Sequence, residues 1–233
     1  MLASSSAALV LKQLSRNMPS LLEQLHSALN HTRLDTTIPS SKLRGIQSHA
    51  SVVRDEIKRI QTQQLHSVQP NFQVTEIDPN FFVETSTPAA GVPDYAFLQI
   101  AGPPEKEGKG TSTPPSFFSS STTRFGVSMQ GSDLSYHGHH HHAQELYVVL
   151  NGHGGVSWWT DSSPMWEYRD YSFHLSNENH AMSTVVPKSS SGCTDASSNG
   201  TLFFWSWTGD LTLDIKHSEE VVQVELKREL PSS

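Results

Sequence analysis

From residue 71 onward the chain consists of short β-like runs separated by Pro, Gly and Ser clusters, a texture that suits a sandwich or a barrel. The runs fall around Phe72 and Val74, at 81–83, 95–100, 124–129, 147–150, 156–159 and 202–207, and end at 221–226. Two low-complexity stretches, 103–123 and 187–200, interrupt them and read as exposed, mobile loops. The first third has a different period. Ser20 and Glu23 have capping-box spacing just after Pro19, and Leu21, Leu22, Leu25, Ala28 and Leu29 follow as one apolar stripe. Leu43, Ile46, Ala50, Val53, Ile57 and Ile60 recur at spacings of three, four and seven, which predicts a second amphipathic helix. Three or so turns are too few for a coiled coil, so these helices are expected to pack on the body of the protein. The expected organisation is a helical segment over 1–70 and a β-barrel over 71–233.

Composition narrows the partners. Sixteen Lys and Arg against 23 Asp and Glu leave a net charge of −7, with no basic run carrying aromatics, so nucleic acid is not expected. A single cysteine, Cys193, rules out an internal disulfide framework and a Cys-based zinc site. No stretch approaches the ~20 apolar residues that span a bilayer, so no membrane association is expected. The first residues are Ser- and Ala-rich, with Lys12 and Arg16 and no acid before Glu23. An ordinary first helix in a cytoplasmic protein is the preferred reading, with an organelle transit peptide as the alternative. The expected partner is a small-molecule substrate, and the expected state a monomer or homodimer.

The segment from Ser135 to Tyr147 carries the chemistry. Its histidine run is internal, broken by Gly138, and leads directly into the strand-like LYVVLNG, which is unlike a purification tag. In extended backbone, alternate residues share a face. His139, His141, Glu145 and Tyr147 fall on one parity, and His140, His142, Leu146 and Val148 on the other. Two imidazoles and a carboxylate are the minimum set that holds a divalent first-row metal with positions left open for catalysis. A third imidazole must come from another strand. His180, between turn-forming residues and Ala181-Met182, is the best candidate; His153, in a Gly-flanked turn, and His174 are less well placed.

These residues resemble the cupin motifs. The first, His-x-His, a short gap, Glu, six residues and Gly, matches from His139 through Glu145 to Gly152. The second matches more loosely, with Asn177 where a glycine is usual and His180 at the histidine position. Asp133 stands where the first motif has its leading glycine. Among cupins the chain is similar to the dimethylsulfoniopropionate (DMSP) lyases. Their pattern adds a Tyr three residues before the first His and another two residues after the Glu, which Tyr136 and Tyr147 match. The likeness continues through Asn179 to Met182 and through the LFFWSWTGD segment at 202–210, while the 187–200 loop is longer than the family's.

The resemblance implies a mainly-β fold, a cupin double-stranded β-helix or jelly-roll barrel preceded by helices. It also implies one divalent transition metal ion (Fe, Zn, Mn, Ni or Co) held by His139, His141, Glu145 and His180. The implied reaction is β-elimination of DMSP to dimethyl sulfide and acrylate, with Tyr136 as general base and Tyr147 as metal ligand or substrate partner. Aromatic faces attract a sulfonium cation, which makes Trp158, Trp166, Trp205 and Trp207 candidate substrate-binding residues. Strand alternation suggests that only one of each Trp pair points inward. The competing readings are an Fe(II) cupin dioxygenase, an isomerase acting on another small carboxylate, and a non-catalytic metal-dependent binding module.

Overall fold

The computed structural model describes residues 6–30, 40–63, 75–76, 82–84, 95–104, 116–131, 134–136, 139–140, 143–151, 155–160, 163–168, 173–176, 181–186, 200–211 and 216–217. Three helices lead: α1 (Ser6–Ser15), α2 (Met18–Asn30) and α3 (Ser40–Gln63). The strands are β1 (Thr75–Glu76), β2 (Phe82–Glu84), β3 (Tyr95–Gly102), β4 (Phe118–Ser119), β5 (Thr123–Gly131), β6 (Leu134–Tyr136), β7 (His139–His140) and β8 (Gln144–Asn151). They continue as β9 (Gly155–Thr160), β10 (Ser163–Tyr168), β11 (Phe173–Ser176), β12 (Ala181–Val186), β13 (Gly200–Thr208) and β14 (Lys216–His217). The expected strand at 221–226 lies outside the described residues. Among those residues no helix is long and apolar enough to cross a membrane.

The strand pairing identifies the architecture. From β5 to β13 the chain pairs with itself as a nested antiparallel hairpin. β9 pairs with β10, β8 with β11, β6 and β7 with β12, and β5 with β13. Successive pairs alternate between two sheets. The first runs β1-β3-β5-β13-β8-β11, with β4 beside β3. The second runs β10-β9-β12-β6-β2, with β7 and β14 attached. A long hairpin rolled so that its rungs alternate between two sheets is the jelly roll, the double-stranded β-helix of cupins. The fold is therefore a mainly-β, cupin-type barrel with helices in front.

The helices form because their apolar residues line one side. Ile46, Ala50, Val53, Ile57 and Ile60 of α3 are all fully buried, as are Leu22, Leu25 and Leu29 of α2. They share one core with Leu98, Ile100, Phe125, Val127, Leu146, Val148 and Phe204 of the first sheet. This is the packing expected from the apolar stripes, and the helices cover one face of that sheet. Arg59 ties α3 to the barrel, gripping the Glu56 carboxylate with two nitrogens at 2.7 and 2.8 Å and donating to the Ser119 carbonyl at 2.9 Å.

Two local expectations are corrected. Helix α2 starts before Ser20, and the cap is Asn17, whose Oδ1 accepts the Ser20 N–H at 3.4 Å. Pro19 fits the first turn, where a missing N–H costs nothing. The 103–123 stretch is not exposed throughout. Its end forms β4, parallel to β3, with Phe118, Ser120 and Thr123 buried. The Ser120 hydroxyl lies within hydrogen-bonding distance of Thr123 Oγ1 and accepts the Thr123 N–H, both at 3.2 Å, which satisfies polar groups that burial would otherwise strand. Residues 105–115 and 187–199 lie outside the described residues.

Candidate metal and substrate site

The first sheet has a second buried face, turned away from the helices, and it gathers the chemistry. Strand β8 alternates: Leu146 and Val148 belong to the core shared with the helices, while Tyr147 and Val149 belong to a separate cluster with Ala143, Phe203, Trp205 and Trp207. The register places Glu145 beside Trp207 of β13 and Ser176 of β11. Tyr147 stands in the neighbouring row on that face, between Trp205 and His174. Glu145 is 1% exposed and Tyr147 7%, so carboxylate and phenol are both withdrawn from solvent. Tyr147 meets Phe203 edge-on, with ring centroids 6.3 Å apart.

Trp205 and Trp207 also meet edge-on, at 6.4 Å. This corrects the expectation that one of each Trp pair points inward. Residues two apart in a strand share a face, so alternation places this pair together. Gly126, opposite Trp205 on β5, makes room for it: a Cβ there would sit 2.7 Å from Trp205 Cζ2.

In the second sheet, His139 of β7 stands opposite Met182 of β12 and His217 of β14, and Trp158 stands opposite Met182 on its other side. Trp166 is in the adjacent row, opposite Ser157, so the register aligns Trp158 with His139 and offsets Trp166. Tyr136 of β6 pairs with Phe82. Between the pairs Ser135–Val185 and His139–Met182, four steps on one side match three on β12. That register gives Tyr136 and His139 the same parity relative to β12. His141, His153 and His180 lie outside the described residues.

Several residues of this region were not picked out from the sequence. His49 of α3 is 3% exposed, with Nε2 2.9 Å from Ser206 Oγ and Nδ1 3.0 Å from Thr208 Oγ1. Burial pulls its pKa down to about 4, against the opposing pull of the Glu145 carboxylate and of Ser206, so it is neutral at pH 7. The available signal was a polar residue at a core position of the Ile46–Ala50–Val53 stripe. Arg124 of β5 shares the row of Trp207 and Glu145, and Gln99 of β3 the row of Gly126 and Trp205. The alternation Arg124, Gly126, Ser128 reads as a solvent face, yet Arg124 is 4% exposed and Ser128 1%.

No family model and no curated protein matches the chain. Solved structures similar to it include the DMSP lyase DddQ from Ruegeria pomeroyi DSS-3, at 14% identity over 81% of this chain and 75% of that one, with a TM-score of 0.40. A structure of the DMSP lyases RdDddP and RnDddQII is similar at 17% identity over 54% of this chain, with a TM-score of 0.38. The chain spans about half (53%) of that relative's length. A cupin-like protein of Thermotoga maritima is similar at 9% identity over 60% of this chain and 80% of that one, with a TM-score of 0.35. The jelly-roll assignment rests on the strand pairing and needs none of these likenesses.

Proposed function

We propose that the chain is a metal-dependent carbon–sulfur lyase that cleaves DMSP to dimethyl sulfide and acrylate. The observation that carries the reading is the buried face on which Glu145, Tyr147, Trp205 and Trp207 meet, joined to the motif resemblance at Tyr136, His139, His141 and His180.

The donors fit a divalent first-row ion. Glu145 and His139 would hold it together with His141 and His180, which stand two residues after His139 and two before Met182, the spacing that keeps strand parity. When bound, the ion supplies Lewis acidity that acidifies the C–H beside the substrate carboxylate.

Tyr136 takes that proton. A phenol of pKa ~10 is a weak base at neutral pH, and a neighbouring cation favours the phenolate. The C–H electron pair becomes the new double bond, the C–S pair leaves on dimethyl sulfide, and the proton remains on the Tyr136 oxygen. Tyr147 donates to the substrate or ligates the metal from the Glu145 side. Trp205 offers an indole face to the sulfonium; the Trp207 ring already carries the Arg124 guanidinium, with Cζ 5.8 Å from its centroid. Headspace detection of dimethyl sulfide after reconstitution with each candidate metal tests the reading. No gas with any of them refutes it and leaves the fold assignment intact.

A further inference from the structure

We propose that Arg124, held by Gln99 and lying over the Trp207 ring, is a carboxylate-binding subsite at the edge of the Trp207–Glu145 row. The inference takes from the lyase reading only that the substrate is a small carboxylate.

A guanidinium has five N–H donors. Arg124 uses one of them among the described residues, from Nη1 to Gln99 Oε1 at 2.8 Å. Its Nε is buried with no acceptor among the described residues. Among the described residues no carboxylate pairs with Arg124, and burial lowers its pKa to about 10. The group therefore remains cationic at neutral pH.

A buried cation with unused donors is costly to keep unless something uses it. The surroundings hold it in place rather than neutralise it. Gln99 accepts from Arg124 through its carbonyl oxygen and donates through Nε2 to Ser116 Oγ, so the amide cannot rotate without losing one partner. The guanidinium also lies over the Trp207 ring, with Cζ 5.8 Å from its centroid, a cation–π contact that helps hold it in place. A planar, oriented fork with free donors matches the two oxygens of a carboxylate. Arg124 and Glu145 stand two strands apart in the same row, about 10 Å between backbone positions at ordinary strand spacing. A carboxylate held at Arg124 would therefore lie on the same buried face as Glu145, with Trp207 between the two backbone positions.

The test uses full-length, metal-free protein, so that no metal–carboxylate bond can contribute. Binding of propionate and of its neutral isostere propionamide is measured by calorimetry in wild type, Arg124→Lys and Arg124→Met, with near-UV circular dichroism as the check on folding. Saturable propionate binding with propionamide at least tenfold weaker, and a loss of about tenfold or more in Arg124→Met, is the expected result. Lysine keeps the charge without the fork and should fall between the two. Equal binding of propionate and propionamide by wild type, or no propionate binding at all, overturns the proposal even if Arg124→Met fails to fold. So does an unchanged propionate affinity in either folded variant. Absence of lyase activity would leave these binding results as they stand, so the two readings fail separately.

Discussion

His49 of α3 lies 2.9 Å through Nε2 from Ser206 Oγ on β13, the strand that carries Trp205 and Trp207. Its Nδ1 lies 3.0 Å from Thr208 Oγ1 on the same strand. One imidazole thus ties the helical front to the strand behind the candidate site.

Replacing it with an apolar residue should be expensive. His49→Leu leaves two buried hydroxyls without their imidazole partner, a loss of about 2–4 kcal/mol, read as a lower denaturation midpoint. The same histidine makes wild type acid-sensitive. The unfolded chain takes up a proton near the ordinary value of 6.5, while folded His49 resists it until about 4. Between those values the unfolded state binds more protons, so the stability fully present above pH 6.5 is lost as pH falls towards 4. That contribution is about 3 kcal/mol at most, and it should be missing from the pH profile of His49→Leu.

Gly126→Ala should disturb Trp205. The added methyl would sit 2.7 Å from Trp205 Cζ2 and press on the Leu98 carbonyl, which is backbone in a paired strand and cannot move aside easily. A destabilisation of about 1–3 kcal/mol and a shift in tryptophan emission are expected. Wild-type emission and stability would show that the neighbouring strands can part there.

The sequence was most informative wherever a period repeats. The α3 stripe was readable because its apolar residues recur at helical spacing, and the Glu145–Tyr147 parity because a strand alternates strictly. Asn17 was missed as a cap because Ser20 and Glu23 imitate the capping-box spacing within the first turn. Arg124 was not legible as a buried group. Its polar alternation with Phe125 and Val127 looks like a solvent face, and only the pairing of β5 with β13 brings it beside Trp207. His49 depends on a partner 157 residues away, a separation that no local pattern reports.

Metal content separates the roles in the proposed site. His180→Ala and Glu145→Gln should both bind clearly less metal than wild type after identical loading, because each removes a donor. Tyr136→Phe should load like wild type and lose nearly all elimination activity. Unchanged metal content in His180→Ala would remove His180 from the ligand set. Retained activity in Tyr136→Phe would remove Tyr136 as base.

The most direct measurement follows dimethyl sulfide and acrylate together in one reaction of metal-loaded protein with DMSP. The account predicts that the two products appear in equal amounts and that both disappear on chelation and in Glu145→Gln. Neither product with any of the five candidate metals, or product formation unaffected by chelation and by Glu145→Gln, would contradict it.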